Sequence, residues 1–285
     1  MAIQQNLQEK AQKVFNSPFV REPFHILTIT LLSLLLPLSF LLLARLSCTN
    51  YLLSIASSSS SFYFPDTNPS LLYLIVSLIT IATLIHSLTD KITPVRRSPR
   101  APTRPRLYTA WFLLCVLQIC VGLGIEASVA AGTETNISFG TDVTLLSRVI
   151  FFLGLHETML QWCRLVVKPV VDDAVLGGQR KERWVEKAAM AVSFGSLWYW
   201  RLRDEIECLV AVAEAKREML MGVAVAEFVG WWLYYLTVTI GMIRLVKGFM
   251  WVGMSLFCGR LGGQGLNISE EEQPNFDVDD IEEKV

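Results

Sequence analysis

Five long apolar stretches, each followed by a polar or charged segment, set the pattern of the chain. A helix needs about 20 predominantly apolar residues to cross a bilayer, and each stretch is close to that length or longer. The stretches are His25 to Ala44, Ser70 to Leu88, Leu107 to Ile125, Thr144 to Val167 and Met219 to Ile243. This pattern predicts an all-α fold, that of a polytopic α-helical membrane protein.

A sixth, shorter apolar stretch covers Ala188 to Trp200 and ends in Trp198, Tyr199 and Trp200. Aromatic side chains of this kind collect at the membrane–water interface. The charged segment that follows, Arg201 to Glu218, has helical periodicity. We expect six transmembrane helices, with five as the alternative if the sixth stretch lies on the surface.

The same pattern divides the chain into three parts. Residues 1–24 form a polar cytosolic arm, residues 25–258 the transmembrane helical bundle, and residues 259–285 a flexible acidic tail. We expect loops at Arg45 to Pro69 and Lys168 to Lys187, and a short interfacial helix at Gly248 to Cys258.

Composition agrees with a membrane protein. Of the 285 residues, 52% are hydrophobic and 18% charged, whereas a soluble domain has about 25% charged residues. The mean hydropathy is +0.43. A net charge of −1 argues against nucleic acid as a partner. The six cysteines contain no CxxC pair, so the sequence predicts no disulfide framework and no metal site. The tandem Asp172-Asp173 alone is weak evidence for a metal.

The positive charges predict how the chain crosses the membrane. With six spans and cytosolic termini, 19 of the 25 Lys and Arg residues are cytosolic, five are outside, and Arg148 is in the membrane. This bias follows the positive-inside rule. It places the sequon at Asn136 on the lumenal side, where glycosylation occurs.

The candidate chemistry lies in the fourth stretch. At 100° per residue, Glu157, Gln161 and Arg164 share one helix face, and His156 lies beside them. Ionisable groups at bilayer depth are costly and usually face a protein interior or a wet cavity. The stretch from Met219 to Ile243 adds Glu227. Two interpretations remain open, since such a polar stripe either joins helices or lines a pathway or active site.

In the first interpretation, Glu157, Arg164 and Glu227 are expected to form pairs between helices. His86, at the end of the second stretch, is expected to be solvated.

Two charged segments predict partners outside the bundle. The loop from Thr89 to Arg106 is rich in Arg and Pro, and about 1 kcal/mol per basic residue attracts such a loop to anionic lipids. Its lipid-facing arginines are Arg96, Arg97, Arg100, Arg104 and Arg106. The acidic tail is a candidate site for protein partners.

No catalytic motif points to an enzyme, and no cofactor is predicted. His156-Glu157 begins like the zinc motif HExxH, but Leu160 stands where the second histidine is required. We therefore expect a scaffold or organiser of an endomembrane or the plasma membrane. The alternative is a small transporter or channel subunit that uses the polar stripe.

Two segments carry a resemblance to known proteins. SPFVREPFHILTITLLSLLLPLSFLLLARLS and HETMLQWCRLVVKPVVDDA resemble members of an uncharacterised family of plant multi-pass transmembrane proteins. The resemblance covers most of the chain. It implies a secretory-pathway membrane and assigns no functional residue.

Overall fold

The computed structural model describes residues 18–56, 70–89, 104–130, 145–176, 182–218 and 225–262. Within these ranges the secondary structure is helical and contains no strand. We number the helical segments in chain order. The segment α1 comprises Pro18–Ser33 and Leu35–Ala56, α2 is Ser70–Leu88, α3 is Arg104–Ala130 and α6 is Val225–Gly262.

Two further segments contain π-helical turns, in which the backbone bonds from residue i to i+5 and each turn holds more residues than in an α-helix. In α4, Leu145–Trp162 is followed by the π turn Cys163–Val167, the short helix Lys168–Val171 and the π turn Asp172–Leu176. In α5, Trp184–Leu197 and Arg203–Glu218 flank the π turn Trp198–Leu202.

The break in α1 at Leu34 has a local cause. Pro37 has no N–H, and its ring crowds the carbonyl of the residue four positions earlier, Ser33. Hydrogen bonding nevertheless continues across the break. The Leu34 N–H donates to the Thr30 carbonyl at 3.1 Å, and the Leu38 N–H to the Leu34 carbonyl at 3.0 Å.

Several predicted boundaries are wrong. Helix already begins at Pro18, inside the expected arm. Residues 45–56 and 168–176, predicted as loop, continue α1 and α4, and residues 248–258 belong to the long α6. Charged groups are compatible with helix at two of these places because they have partners on other helices: Arg45 pairs with Glu205, and Asp172 with His25.

Among the described residues, four helical stretches are long and apolar enough to cross a bilayer. They are Val20–Thr49, Leu71–Leu88, Tyr108–Val129 and Glu227–Leu256. The all-helical class is thus confirmed, and the chain has the helices that an α-helical membrane protein needs. The predicted fourth and fifth spans, in α4 and α5, are not among the four, because polar and charged residues interrupt the apolar run of α4 and that of α5 is short.

Contacts within residues 1–245, which form one compact unit, fix the directions of the helices. The Phe40 and Phe151 rings lie 6.1 Å apart, and the Trp162 indole N–H donates to the Leu32 carbonyl at 3.1 Å. Residue numbers rise along α1 as they fall along α4, so these two helices are antiparallel.

The helix α5 runs parallel to α1. Arg183 donates to Glu22 at 2.9 Å near the start of both helices, and Arg45 pairs with Glu205 further along both. The two pairs are separated by 23 residues on α1 and 22 residues on α5. One helix therefore follows the other at nearly constant register.

The remaining helices continue the alternation. Ser47 meets Tyr73 of α2 at 3.3 Å, whereas His86 at the other end of α2 meets Gln161, next to Trp162. Arg45 donates to Ser128 of α3 at 3.1 Å. Tyr234 of α6 lies 3.3 Å from Ser147, and Arg244 pairs with Glu157. Hence α1, α3 and α5 point one way, and α2, α4 and α6 the other.

The core lies between α1, α4, α5 and α6. Its fully buried side chains include Phe40, Phe151, Leu155, Met159, Phe194 and Leu233. The Phe151 ring stacks on Tyr234 at 4.9 Å, so aromatic contacts connect α1, α4 and α6 through one residue.

Residues 246–285 form a second unit, of which the structure describes residues 246–262, the end of α6. Here the side chains of Phe249, Met250 and Trp251 are exposed. An apolar, exposed helix end of this kind suits a lipid environment.

Candidate intramembrane polar site

The centre of the candidate site is an ion pair between α4 and α6. Glu157 binds Arg244, and their side chains retain 20% and 37% of their exposure. Arg244 is the partner that the sequence analysis missed, since the pairs between helices were expected among Glu157, Arg164 and Glu227. The pair joins two helices at the edge of the bundle.

Two glycines bring the backbones together next to this pair. Gly154 lies one turn before Glu157, and Gly241 one turn before Arg244. A Cβ on Gly154 would overlap the Thr237 carbonyl, and one on Gly241 the carbonyl of Ile150. Small residues of this kind let membrane helices approach closely. The close crossing places Glu157 and Arg244 within reach of each other.

The other members of the stripe contact different elements. The Gln161 amide lies 3.1 Å from Nδ1 of His86 on α2, so His86 is exposed but has a protein partner. Arg164 lies 3.7 Å from Glu182, just before α5. The prediction that Arg164 shares a helix face with Glu157 assumed a rotation of 100° per residue. This rotation does not apply beyond Trp162, because the π turn begins at Cys163.

Neither His156 nor Glu227 is a member of that ion pair, although His156 lies close enough to Arg244 and Arg164 to interact with them electrostatically. The His156 ring is half-buried between aromatic rings, 6.2 Å from Phe152 and 5.5 Å from Phe194. Glu227 lies in the first turn of α6, where it interacts electrostatically with Tyr73. The structure therefore gives the predicted site residues different hydrogen-bond and ion-pair partners.

Further ion pairs lie toward the two ends of the helices. At one end, His25 Nε2 lies 2.6 Å from Asp172, and Lys168 donates to Glu186 at 3.0 Å; these four side chains are largely buried. Toward the other end, Arg45 pairs with Glu205. The buried Asp172, a weak metal candidate in the sequence, thus has a histidine partner.

On the same side as the Arg45 pair, Arg148 lies 2.7 Å from Glu207, with 36% and 27% of their side chains exposed. Partial burial raises the pKa of the Glu207 carboxyl, and the nearby Arg148 partly offsets that rise. The sequence contains one signal for the end pairs Glu22–Arg183 and Arg45–Glu205. The two opposite charges on α1, Glu22 and Arg45, have a similar spacing to the two on α5, Arg183 and Glu205.

The end pairs bound an apolar layer of membrane thickness. His25 and Arg45 are 20 residues apart, about 30 Å at 1.5 Å per residue, and the hydrocarbon core of a bilayer is about as thick. Glu157 lies between these ends. It is 10 residues along α4 from Ser147, the neighbour of Arg148 at one end, which is about 15 Å. Among the residues that the structure describes, the Glu157–Arg244 pair is therefore the ion pair that lies within the layer.

A cavity of about 10 Å³, room for about one water molecule, lies away from the ion pair, between α1, α2, α3 and Trp162. Its lining residues are Leu35, Leu36, Ser39, Leu72, Ile75, Val76, Ile79, Leu117 and Trp162. The Ser39 hydroxyl donates to the Leu35 carbonyl at 2.7 Å. No residue of the polar stripe lines this cavity.

In the described ranges, no group of three or more His, Cys, Asp and Glu side chains could hold a metal ion. Asn136, Arg96, Arg97, Arg100 and the acidic tail from Glu270 onward lie outside the described residues. Arg104 and Arg106, predicted in the basic loop, lie in the first turn of α3.

No protein-family profile, curated protein or solved structure matches this chain. The resemblance to plant multi-pass membrane proteins stays a prediction.

Proposed function

We propose that the chain is a six-span, non-enzymatic integral membrane protein that serves as a scaffold or organiser of an endomembrane or the plasma membrane. One observation carries the proposal: Glu157, Gln161 and Arg164 each contact a different element, α6, α2 and the start of α5. Polar side chains in a bilayer stabilise helix association in this way. A pathway would instead need polar groups that converge on one wet space.

Two observations support α5 as the fifth of the six spans. It follows α1 in parallel from the Glu22–Arg183 pair to the Arg45–Glu205 pair, a length of about 30 Å. The side chains of Trp184 and Trp200, 16 residues apart, are each 78% exposed, and Val192 between them is 70% exposed. An exposed apolar stretch that ends in tryptophans is typical of a lipid-facing span.

This arrangement gives the polar segments their roles. The termini and the arginine-rich loop are cytosolic, where the loop attracts anionic lipids and the acidic tail binds protein partners. Asn136 is lumenal and glycosylated, as expected in the secretory pathway. The bundle joined by Glu157–Arg244 holds the termini and the arginine-rich loop on the cytosolic face.

Glycosidase sensitivity tests this topology. Full-length protein is expressed in eukaryotic cells beside Asn136→Gln and Asn267→Gln variants. The six-span arrangement predicts one glycan, lost in Asn136→Gln and kept in Asn267→Gln. A glycan on both asparagines would place the tail in the lumen and would mean that α5 does not cross.

A transporter is the second candidate, favoured by the Glu157–Arg244 pair because an ion pair in the apolar layer is a common feature of ion pathways. Proteoliposomes that enclose a pH-sensitive or potassium-sensitive dye separate the two functions. A scaffold gives no flux above protein-free vesicles, with or without Glu157→Gln. Flux that the wild type carries and Glu157→Gln abolishes would replace the scaffold proposal with the transporter.

A further inference from the structure

Two cations share one carboxylate where α4 approaches α5. The side chain of Glu182 lies 3.7 Å from Arg164 and 3.6 Å from Lys187. Both distances exceed those of a hydrogen bond. The cations are 41% and 54% exposed, and Glu182 is 24% exposed. The cluster therefore carries one net positive charge and has N–H donors available for a further anion.

The surroundings of this cluster are apolar and exposed. Leu165, next to Arg164, is 58% exposed, and Trp184, two residues after Glu182, is 78% exposed. Arg183 is engaged elsewhere, with Glu22 at 2.9 Å. Cations beside an exposed tryptophan and leucine form the combination expected where a helix meets lipid headgroups.

We propose that Arg164 and Lys187 bind the phosphate of an anionic phospholipid in the cytosolic leaflet, with its acyl chains against Trp184 and Leu165. The guanidinium of Arg164 binds phosphate oxygens through two N–H groups, and the ammonium of Lys187 acts as a compact charge. Glu182 competes with the phosphate for both cations. The choice of leaflet rests on the proposed six-span topology, whereas the site itself is formed by described residues.

Full-length protein in neutral detergent, titrated with dioctanoyl phosphatidate by calorimetry, tests the site. Dioctanoyl phosphatidylcholine tests the need for net negative charge, and inorganic phosphate tests the need for acyl chains. Phosphatidate is expected to bind, and the other two to bind much more weakly. Arg164→Gln and Lys187→Gln should each weaken phosphatidate binding roughly fivefold, as expected for about 1 kcal/mol per basic residue.

Matched controls lie further along α5. Arg201 is 50% exposed and lies 3.7 Å from Glu205, so Arg201→Gln removes a similarly exposed, loosely paired cation. It should leave phosphatidate affinity unchanged. Trp184→Ala should weaken binding, and Trp200→Ala, at an equally exposed tryptophan, should not.

Glu182→Gln should tighten binding because it removes the competing carboxylate. This change of opposite sign remains informative if an arginine or lysine variant fails to fold. Equal losses in Arg164→Gln and Arg201→Gln, unchanged affinity in both site variants, or equally tight binding of inorganic phosphate would each overturn the proposal. None of these results alters the glycosylation pattern, so the glycosidase experiment tests the proposed topology independently of this site.

Discussion

Gly154 and Gly241 face each other where α4 crosses α6, and neither position has room for a Cβ. The obstacle at each glycine is a backbone carbonyl, which cannot rotate away as a flexible side chain can. The side chains of Phe151, Tyr234, Glu157 and Arg244 make their contacts around this crossing. The position of α6 against α4 thus depends on two residues that have no side chain.

Alanine at either glycine should separate the two helices. We expect Gly154→Ala and Gly241→Ala to lower the free energy of unfolding by about 3 kcal/mol or more, at the upper end for overpacked cores. Thermal unfolding in detergent measures this loss. Gly195, with open space around its Cβ position, is the control: Gly195→Ala should be neutral or stabilise by up to about 1 kcal/mol. Equal losses at all three glycines would contradict this explanation.

A double-mutant cycle should reveal coupling between Glu157 and Arg244. Glu157→Gln and Arg244→Gln each leave a charge without its partner in the apolar layer. We expect each single variant to lose about 1–3 kcal/mol of stability, and the double variant to lose clearly less than their sum. Denaturation of the four proteins in one detergent gives the coupling energy. Additive losses would mean that the two side chains act independently.

The tandem aspartates provide a matched pair. Asp172 is buried against His25, whereas Asp173 is only partly buried. Asp172→Asn should cost about 1–3 kcal/mol because it weakens a buried hydrogen bond, and Asp173→Asn less than about 0.5 kcal/mol. Melting temperatures of the two variants decide this. If the Asp173 variant proves the less stable, the contact between Asp172 and His25 does not stabilise the fold.

Glu207 should make stability depend on pH. Burial raises the pKa of this carboxyl in the folded protein above its unfolded value. The protonated form is therefore favoured by folding, and its contribution is lost as pH rises through the folded pKa. The stability of the wild type relative to Glu207→Gln should fall as pH rises from the ordinary pKa of a glutamate toward the raised pKa of Glu207. A relative stability that rises with pH over this range would mean that folding lowers the pKa of Glu207.

The first three spans could be predicted from the sequence because their apolar runs are nearly uninterrupted. His25 to Ala44 lies within Val20–Thr49, and Ser70 to Leu88 coincides with α2. In the fourth stretch, periodicity indicated which face of the helix is polar. It could not indicate that Glu157 binds Arg244, 87 residues away, because a repeat along one helix contains no information about which helix packs against it.

Two other features were not accessible from the pattern. The sequence pattern contains no signal for the π turns. The predicted helix face of Arg164 was counted from Glu157 at 100° per residue, and one π turn begins between these two residues. The helical continuation from Lys168 to Leu176 looked like a loop because it is charged and lies near glycines. Its charges are instead buried through contacts with His25 and Glu186, and such long-range pairs form only once the bundle has assembled.

The π turns also determine where the chain tolerates a change in length. Removing one residue from a regular α-helix rotates everything after it by about 100° and turns buried side chains toward lipid. A π turn already contains about one residue more than an α turn. Loss of one residue within Trp198–Leu202 would restore regular helix and leave Glu205 opposite Arg45, whereas the same deletion one turn earlier would not. Variation in length among related chains should therefore concentrate at these wide turns.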